Sequence, residues 1–125
     1  MQQANKSVLI IDDDTRNIFA LSAVIRSKGF VTVSAPGMAE AFALLSEDKN
    51  IGIILLDMMM PDMDGYEALP KIKGSTEFGH LPVIAVTAQA MTGDRERCLK
   101  AGADGYLSKP VDVDSLMTIL KEQLK

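Results

Sequence analysis

Three consecutive aspartates, Asp12-Asp13-Asp14, follow directly on the apolar run Val8 to Ile11. A further one, Asp57, closes the apolar run Ile51 to Leu56. Brought together, such residues can hold a hard divalent cation through oxygen alone. Two carboxylates about 4 Å apart repel by roughly 4 kcal/mol at an effective dielectric near 20. Three stay ionised side by side only if a positive partner joins them. A few carboxylates completed by water suit Mg2+ better than Ca2+. No His or Cys pair stands at metal-ligand spacing to compete for this role. Asp is also a good helix N-cap, so helix initiation is the competing reading of the run. One Asp satisfies a cap, and three plus Asp57 exceed that need.

Two other apolar runs end in matching chemistry. Val83 to Val86 leads into Thr87-Ala88, and Gly105 to Leu107 leads into Ser108-Lys109-Pro110. A threonine hydroxyl can donate to a phosphoryl oxygen, and a lysine can neutralise its charge. Taken singly, Thr87 is a β-branched residue closing a strand and Lys109 a solvated lysine. Taken with the acids, they form a set.

The elements that must position this set alternate in period. Val8 to Ile11, Val31 to Ser34, Ile51 to Leu56, Val83 to Val86 and Gly105 to Leu107 are short apolar runs that predict buried strands. Between them, Ile18, Leu21, Val24 and Ile25 place an apolar stripe on a first helix. Ala39, Phe42, Ala43 and Leu45 do so on a second, and Leu116, Ile119, Leu120 and Leu124 on a last. Thr92 to Ala101 predicts a more polar helix stopped by Gly102. Tyr66 to Lys73 should be the third helix, yet Pro70 removes a backbone donor in its middle. That helix is expected to be short, kinked or late in starting. Strands apolar on both faces predict a parallel sheet covered by helices, here a three-layer (βα)5 α/β sandwich. Ligands of such sheets bind at the carboxyl ends of the strands, where the strand order reverses. In the common order 2-1-3-4-5, adopted from the general class, the first and third strands are neighbours and Asp12, Asp13 and Asp57 converge.

Composition narrows the function. A chain of 125 residues, 47% hydrophobic and 24% charged, fits one domain with its own core, and residues 1–125 are read as one unit with no second domain following. Net charge is -4 and the Lys and Arg residues are scattered, which argues against direct nucleic-acid binding. The start, Met1 to Lys6, lacks the apolar stretch of a signal peptide, and no apolar run is long enough to span a bilayer. Cys98 is the single cysteine, so no intrachain disulfide can form, which suits a cytoplasmic location. It reads as a packed or partly exposed helix residue and not as a redox centre. His80, followed by Leu81-Pro82, reads as a loop residue entering the fourth strand.

The motifs together resemble the receiver domains of two-component response regulators over nearly the full chain. They are Val8-Leu9-Ile10-Ile11-Asp12-Asp13, then Asp57-Met58-Met59-Met60-Pro61-Asp62-Met63-Asp64-Gly65, then Thr87-Ala88, then Gly102-Ala103-Asp104-Gly105-Tyr106-Leu107-Ser108-Lys109-Pro110. The run Asp14-Thr15-Arg16-Asn17 after the acids and the segment Met91-Thr92-Gly93-Asp94-Arg95 are most similar to receivers of hybrid histidine kinases. The resemblance implies a flavodoxin-like fold and a signalling switch that is not an enzyme acting on other molecules. It implies that Asp57 takes a phosphoryl group from a histidine kinase or a histidine phosphotransfer protein. Asp13 and the Met59 carbonyl would bind Mg2+ together with Asp57, and Asp12 would act mainly through water. Lys109 would pair with a phosphoryl oxygen, with a cis Lys109-Pro110 bond. Thr87 would move toward the phosphoryl group and Tyr106 would turn inward behind it. Tyr106 has a plainer reading as a core aromatic with its hydroxyl at the surface. Met59 and Gln89 flank the site at positions that vary in the family, and Met60 and Met63 read as packing around it. A homodimer through the fourth helix, fifth strand and last helix is left open.

Three other functions compete. An aspartyl phosphatase would need Asp-x-Asp-x-Thr after the first strand, but the run is Asp12-Asp13-Asp14-Thr15-Arg16. A flavin or nucleotide binder would need a Gly-rich loop there, where acids stand instead. A docking-only relative of the receivers would not need every motif residue.

Overall fold

The computed structural model describes residues 6–61, 64–88 and 93–124. Five strands, β1 (Ser7–Ile11), β2 (Val31–Ala35), β3 (Ile51–Asp57), β4 (Val83–Thr87) and β5 (Gly105–Ser108), alternate with five helices. These are α1 (Thr15–Ser27), α2 (Met38–Glu47), α3 (Gly65–Lys73), α4 (Asp94–Lys100) and α5 (Val113–Gln123). The strands form one parallel sheet in the order β2-β1-β3-β4-β5. The expected (βα)5 sandwich and strand order are therefore present.

Alternation along the central strands explains why both faces are covered. Leu9 and Ile11 of β1, with Ile54 and Leu56 of β3, join a core that includes Met38, Leu45, Leu69 and Ile72. Val8 and Ile10, with Ile53 and Leu55, join a second core with Leu21, Ile25, Leu116 and Leu120. Fully burying one such Leu or Ile is worth about 1.5–3 kcal/mol, so neither face can be left in water. The two edge strands are less covered: in β2 Thr32 and Ala35 are buried while Val31 and Ser34 are exposed, and in β5 only Leu107 is buried.

One helix expectation is corrected and another is narrowed. In α2 the buried residues are Met38, Ala41 and Leu45, whereas Ala39 and Ala43 are exposed and Phe42 is half-buried. Alanines occur all around this helix, and the larger Met38 and Leu45 set its phase. In α3 the start is not delayed: Asp64 caps the helix by accepting from the Tyr66 N–H at 2.7 Å. Pro70 lies inside its nine residues on the exposed side, where its ring faces solvent and the missing donor leaves the Tyr66 carbonyl without its helical partner. The polar fourth helix ends as expected. Gly102 adopts φ 117°, its N–H donates to Leu99 O, and the Ala103 N–H donates to Cys98 O, a glycine-terminated stop. Thr92, the expected first residue of that helix, lies outside the described residues.

Candidate functional site

Register carries the reactive residues to one edge of the sheet. Ile11 of β1 lies opposite Leu56 of β3, so Asp12 and Asp57 leave adjacent strand ends side by side. Asp57 pairs with Val86, and Thr87 with Ser108, which places Thr87 and Lys109 at the same edge. The Lys109 N–H donates to Thr87 O at 2.8 Å, and the Lys109-Pro110 peptide is cis.

Carboxylate oxygens of Asp12, Asp13 and Asp57 lie within 4.8 Å of one another. Asp12 and Asp57 are buried, at 2% and 5% exposure, and Asp13 is exposed. The helix-start reading accounts for Asp14 alone, whose Oδ1 accepts from the Arg16 N–H at 3.0 Å as the cap of α1. Asp12 Oδ1 accepts from the Asp14 N–H at 2.9 Å, and Asp12 Oδ2 accepts from the Asn17 side-chain amide. Lys109 Nζ reaches between the two buried acids, 3.3 Å from Asp12 Oδ2 and 3.6 Å from Asp57 Oδ2. Asp57 Oδ1 accepts from the Met59 N–H at 3.0 Å.

Burial pushes the Asp57 carboxyl above the usual carboxylate range, and the Asp12 charge adds to this. The Met59 N–H and the Lys109 ammonium pull it back only in part. Asp57 is thus held against its own charge. A divalent cation among the three acids removes that conflict, and an all-oxygen set open on the Asp13 side is the donor chemistry Mg2+ accepts. The Met59 side chain is half exposed, with no polar atom to offer a water beyond its weakly accepting sulfur. Met58 and Met60 are buried packing residues. Met63 and Gln89 lie outside the described residues.

Thr87, at the end of β4, is buried, and Tyr106 on β5 is half-buried. The Tyr106 hydroxyl donates to Asp94 Oδ2 at 3.0 Å. Asp94 Oδ1 accepts from the Tyr66 hydroxyl at 2.8 Å, and the Arg97 guanidinium lies 3.9 Å from the centre of the Tyr66 ring. Burial, with the Asp94 carboxylate beside it, pushes the Tyr106 phenol up to about 12. The same causes raise Tyr66, with Cys98 contributing. Sequence reasoning missed Asn17, Asp94 and Tyr66. Asn17 lies one turn beyond the acids, a spacing that could have drawn notice; nothing local links Tyr66 to Asp94. His80 is exposed in a turn and Cys98 is fully buried, both as expected.

A doubly wound sheet whose carboxyl edge gathers three acids, a lysine and a threonine defines the class of phosphoacceptor switch domains. The chain belongs to the response regulator receiver domain family, which matches residues 8–121, and so to the phosphoacceptor signalling domains of two-component systems. It is 36% identical over 119 residues to the polar-differentiation response regulator DivK of Brucella anthropi, covering 95% of this chain and 96% of that protein. Its fold is similar to the receiver domain of a sensor histidine kinase from Pseudomonas aeruginosa, solved with a magnesium ion coordinated in the active site cleft. That pair has a TM-score of 0.85 and 32% identity, covering 97% of this chain and 98% of the other. A response regulator receiver protein from Pseudomonas putida superposes with a TM-score of 0.87 at 28% identity, covering 95% and 98%. Among the described residues, no helix is long and apolar enough to cross a membrane.

Proposed function

We propose that Asp57 is the phosphoacceptor and that it takes its phosphoryl group from a phosphohistidine of a histidine kinase or histidine phosphotransfer protein. The observation that carries this reading is Lys109 Nζ held between Asp12 Oδ2 and Asp57 Oδ2 at 3.3 and 3.6 Å. An Asp57 oxygen attacks phosphorus in line, an O–P bond forms, the N–P bond breaks, and its electron pair returns to the donor imidazole. Asp13, Asp57 and the Met59 carbonyl would hold Mg2+, with Asp12 acting through water, and the bound ion would supply positive charge to the phosphoryl oxygens. Lys109 meets a phosphoryl oxygen from the opposite side. Thr87 offers its hydroxyl to another, and Tyr106 follows that movement, a two-state element biased by contacts at the site. The domain acts on itself and turns over no other substrate. Its setting is the cytoplasm, and its likeness to a sensor-kinase receiver supports kinship with the receivers of hybrid kinases.

Incubation with a small acyl-phosphate donor tests this reading. Label is expected to enter the protein with Mg2+ and not with EDTA. Once isolated from donor, the labelled protein should keep its phosphoryl group for minutes or longer, because Met59 cannot orient an attacking water as an amide side chain could. Met59→Asn should shorten that lifetime about tenfold, the worth of one good hydrogen bond. Label lost from the wild type within seconds in Mg2+ would refute the role given to Met59.

A further inference from the structure

We infer that Asn17 is a positioning residue of the cation site: its amide holds Asp12 in place toward Asp13 and Asp57 and so sets how tightly a divalent cation binds. This rests on the cation-site reading above. Asp12 is 2% exposed, so bulk solvent contributes little to holding its carboxylate and the orienting donors come from the protein. Oδ1 takes the Asp14 N–H. Oδ2 takes two donors, the Asn17 Nδ2–H and Lys109 Nζ. These two differ in what they leave behind. Lys109 neutralises charge, and the reaction turns it toward the phosphoryl group. Asn17 is neutral, so it orients the carboxylate without cancelling the charge a cation needs. When Lys109 swings to phosphate, Asn17 is the side-chain donor that stays with Asp12.

The amide is also well placed to hold still. Asn17 is the third residue of α1 and half-buried, one turn into a helix whose start is fixed by the Asp14 cap. A polar group on a rigid element, behind a ligand and outside the ligand set, is how metal sites are oriented, and its loss typically lowers metal affinity 10–100-fold.

The test is a calorimetric Mg2+ titration of the whole chain as wild type, Asn17→Ala and Asn17→Leu, with thermal unfolding of each in EDTA. The leucine variant keeps the volume and removes the donor. Both variants should bind Mg2+ about tenfold more weakly, while their unfolding temperatures in EDTA fall by only a few degrees, the cost of one lost donor. Variants that bind Mg2+ as tightly as a binding wild type would overturn the inference and leave the cation site standing. So would weakened binding that merely tracks a large loss of metal-free stability. A wild type that fails to bind Mg2+ would overturn the cation-site reading, and the inference with it.

Discussion

The Lys109→Ala protein should take up a phosphoryl group about 100-fold more slowly than wild type at saturating Mg2+. Removing one preorganised donor from the place where charge develops costs about 10²–10³ in rate. On the proposed reading the ammonium fills this place; it lies 3.3 Å from Asp12 Oδ2 and 3.6 Å from Asp57 Oδ2. Its loss also leaves two buried carboxylates facing each other without a cation. Breaking a fully buried pair costs about 3–5 kcal/mol, but Lys109 is partly solvated, so about 1–2 kcal/mol is expected here. Mg2+ should restore much of that stability and none of the rate, because the ion can separate the acids but cannot stand where the ammonium stands. Stopped-flow phosphorylation with matched urea unfolding separates the two effects. An unchanged rate would show that Lys109 does not face the phosphoryl group.

Gly65→Ala should destabilise the fold by about 2 kcal/mol, against its helix propensity. Alanine in place of glycine ordinarily gains about 0.5–1 kcal/mol in a helix, and less at its first residue. Here a Cβ would lie 2.4 Å from Met58 Sδ and 2.7 Å from Met58 Cα. Thioether atoms can move, but the Cα belongs to the backbone, and forcing extra volume into a packed site costs about 1–3 kcal/mol. The contact wins because Gly65 also donates its N–H to Met58 O at 3.1 Å, which ties the two segments together. Met58 lies between Asp57 and the Met59 N–H that bonds it, so weaker Mg2+ binding should accompany the loss of stability. Urea unfolding gives the first quantity and calorimetry the second. A variant as stable as wild type would mean that this loop has slack.

The convergence of the candidate site residues was legible because they stand where apolar runs stop. Asp12, Asp57 and Thr87 each follow a Val- or Ile-rich run, Lys109 follows the short stretch Gly105 to Ser108, and parallel strands end at one edge. The boundaries were less exact. Ser7, Ala35, Asp57, Thr87 and Ser108 extend strands that hydrophobicity alone would close a residue earlier or open a residue later, since ladder bonds do not depend on side-chain polarity. The strand order came from the general class of such sheets, and no local feature encodes it. Ala39 and Ala43 misled because alanine is tolerated on either side of a helix. Tyr66 and Asp94 meet across 28 residues of chain. Their contact depends on how α3 and α4 pack, which no spacing in the sequence reports. The same packing gives the Tyr106 hydroxyl a carboxylate partner.

Intact mass after incubation with an acyl-phosphate donor and Mg2+, compared between wild type and Asp57→Asn, tests the assignment of the acceptor most directly. The wild type should gain the mass of one phosphoryl group and the variant none, since an amide nitrogen or oxygen cannot form a stable acyl phosphate there. An equal gain in the Asp57→Asn protein would place the chemistry on another side chain and contradict the assignment.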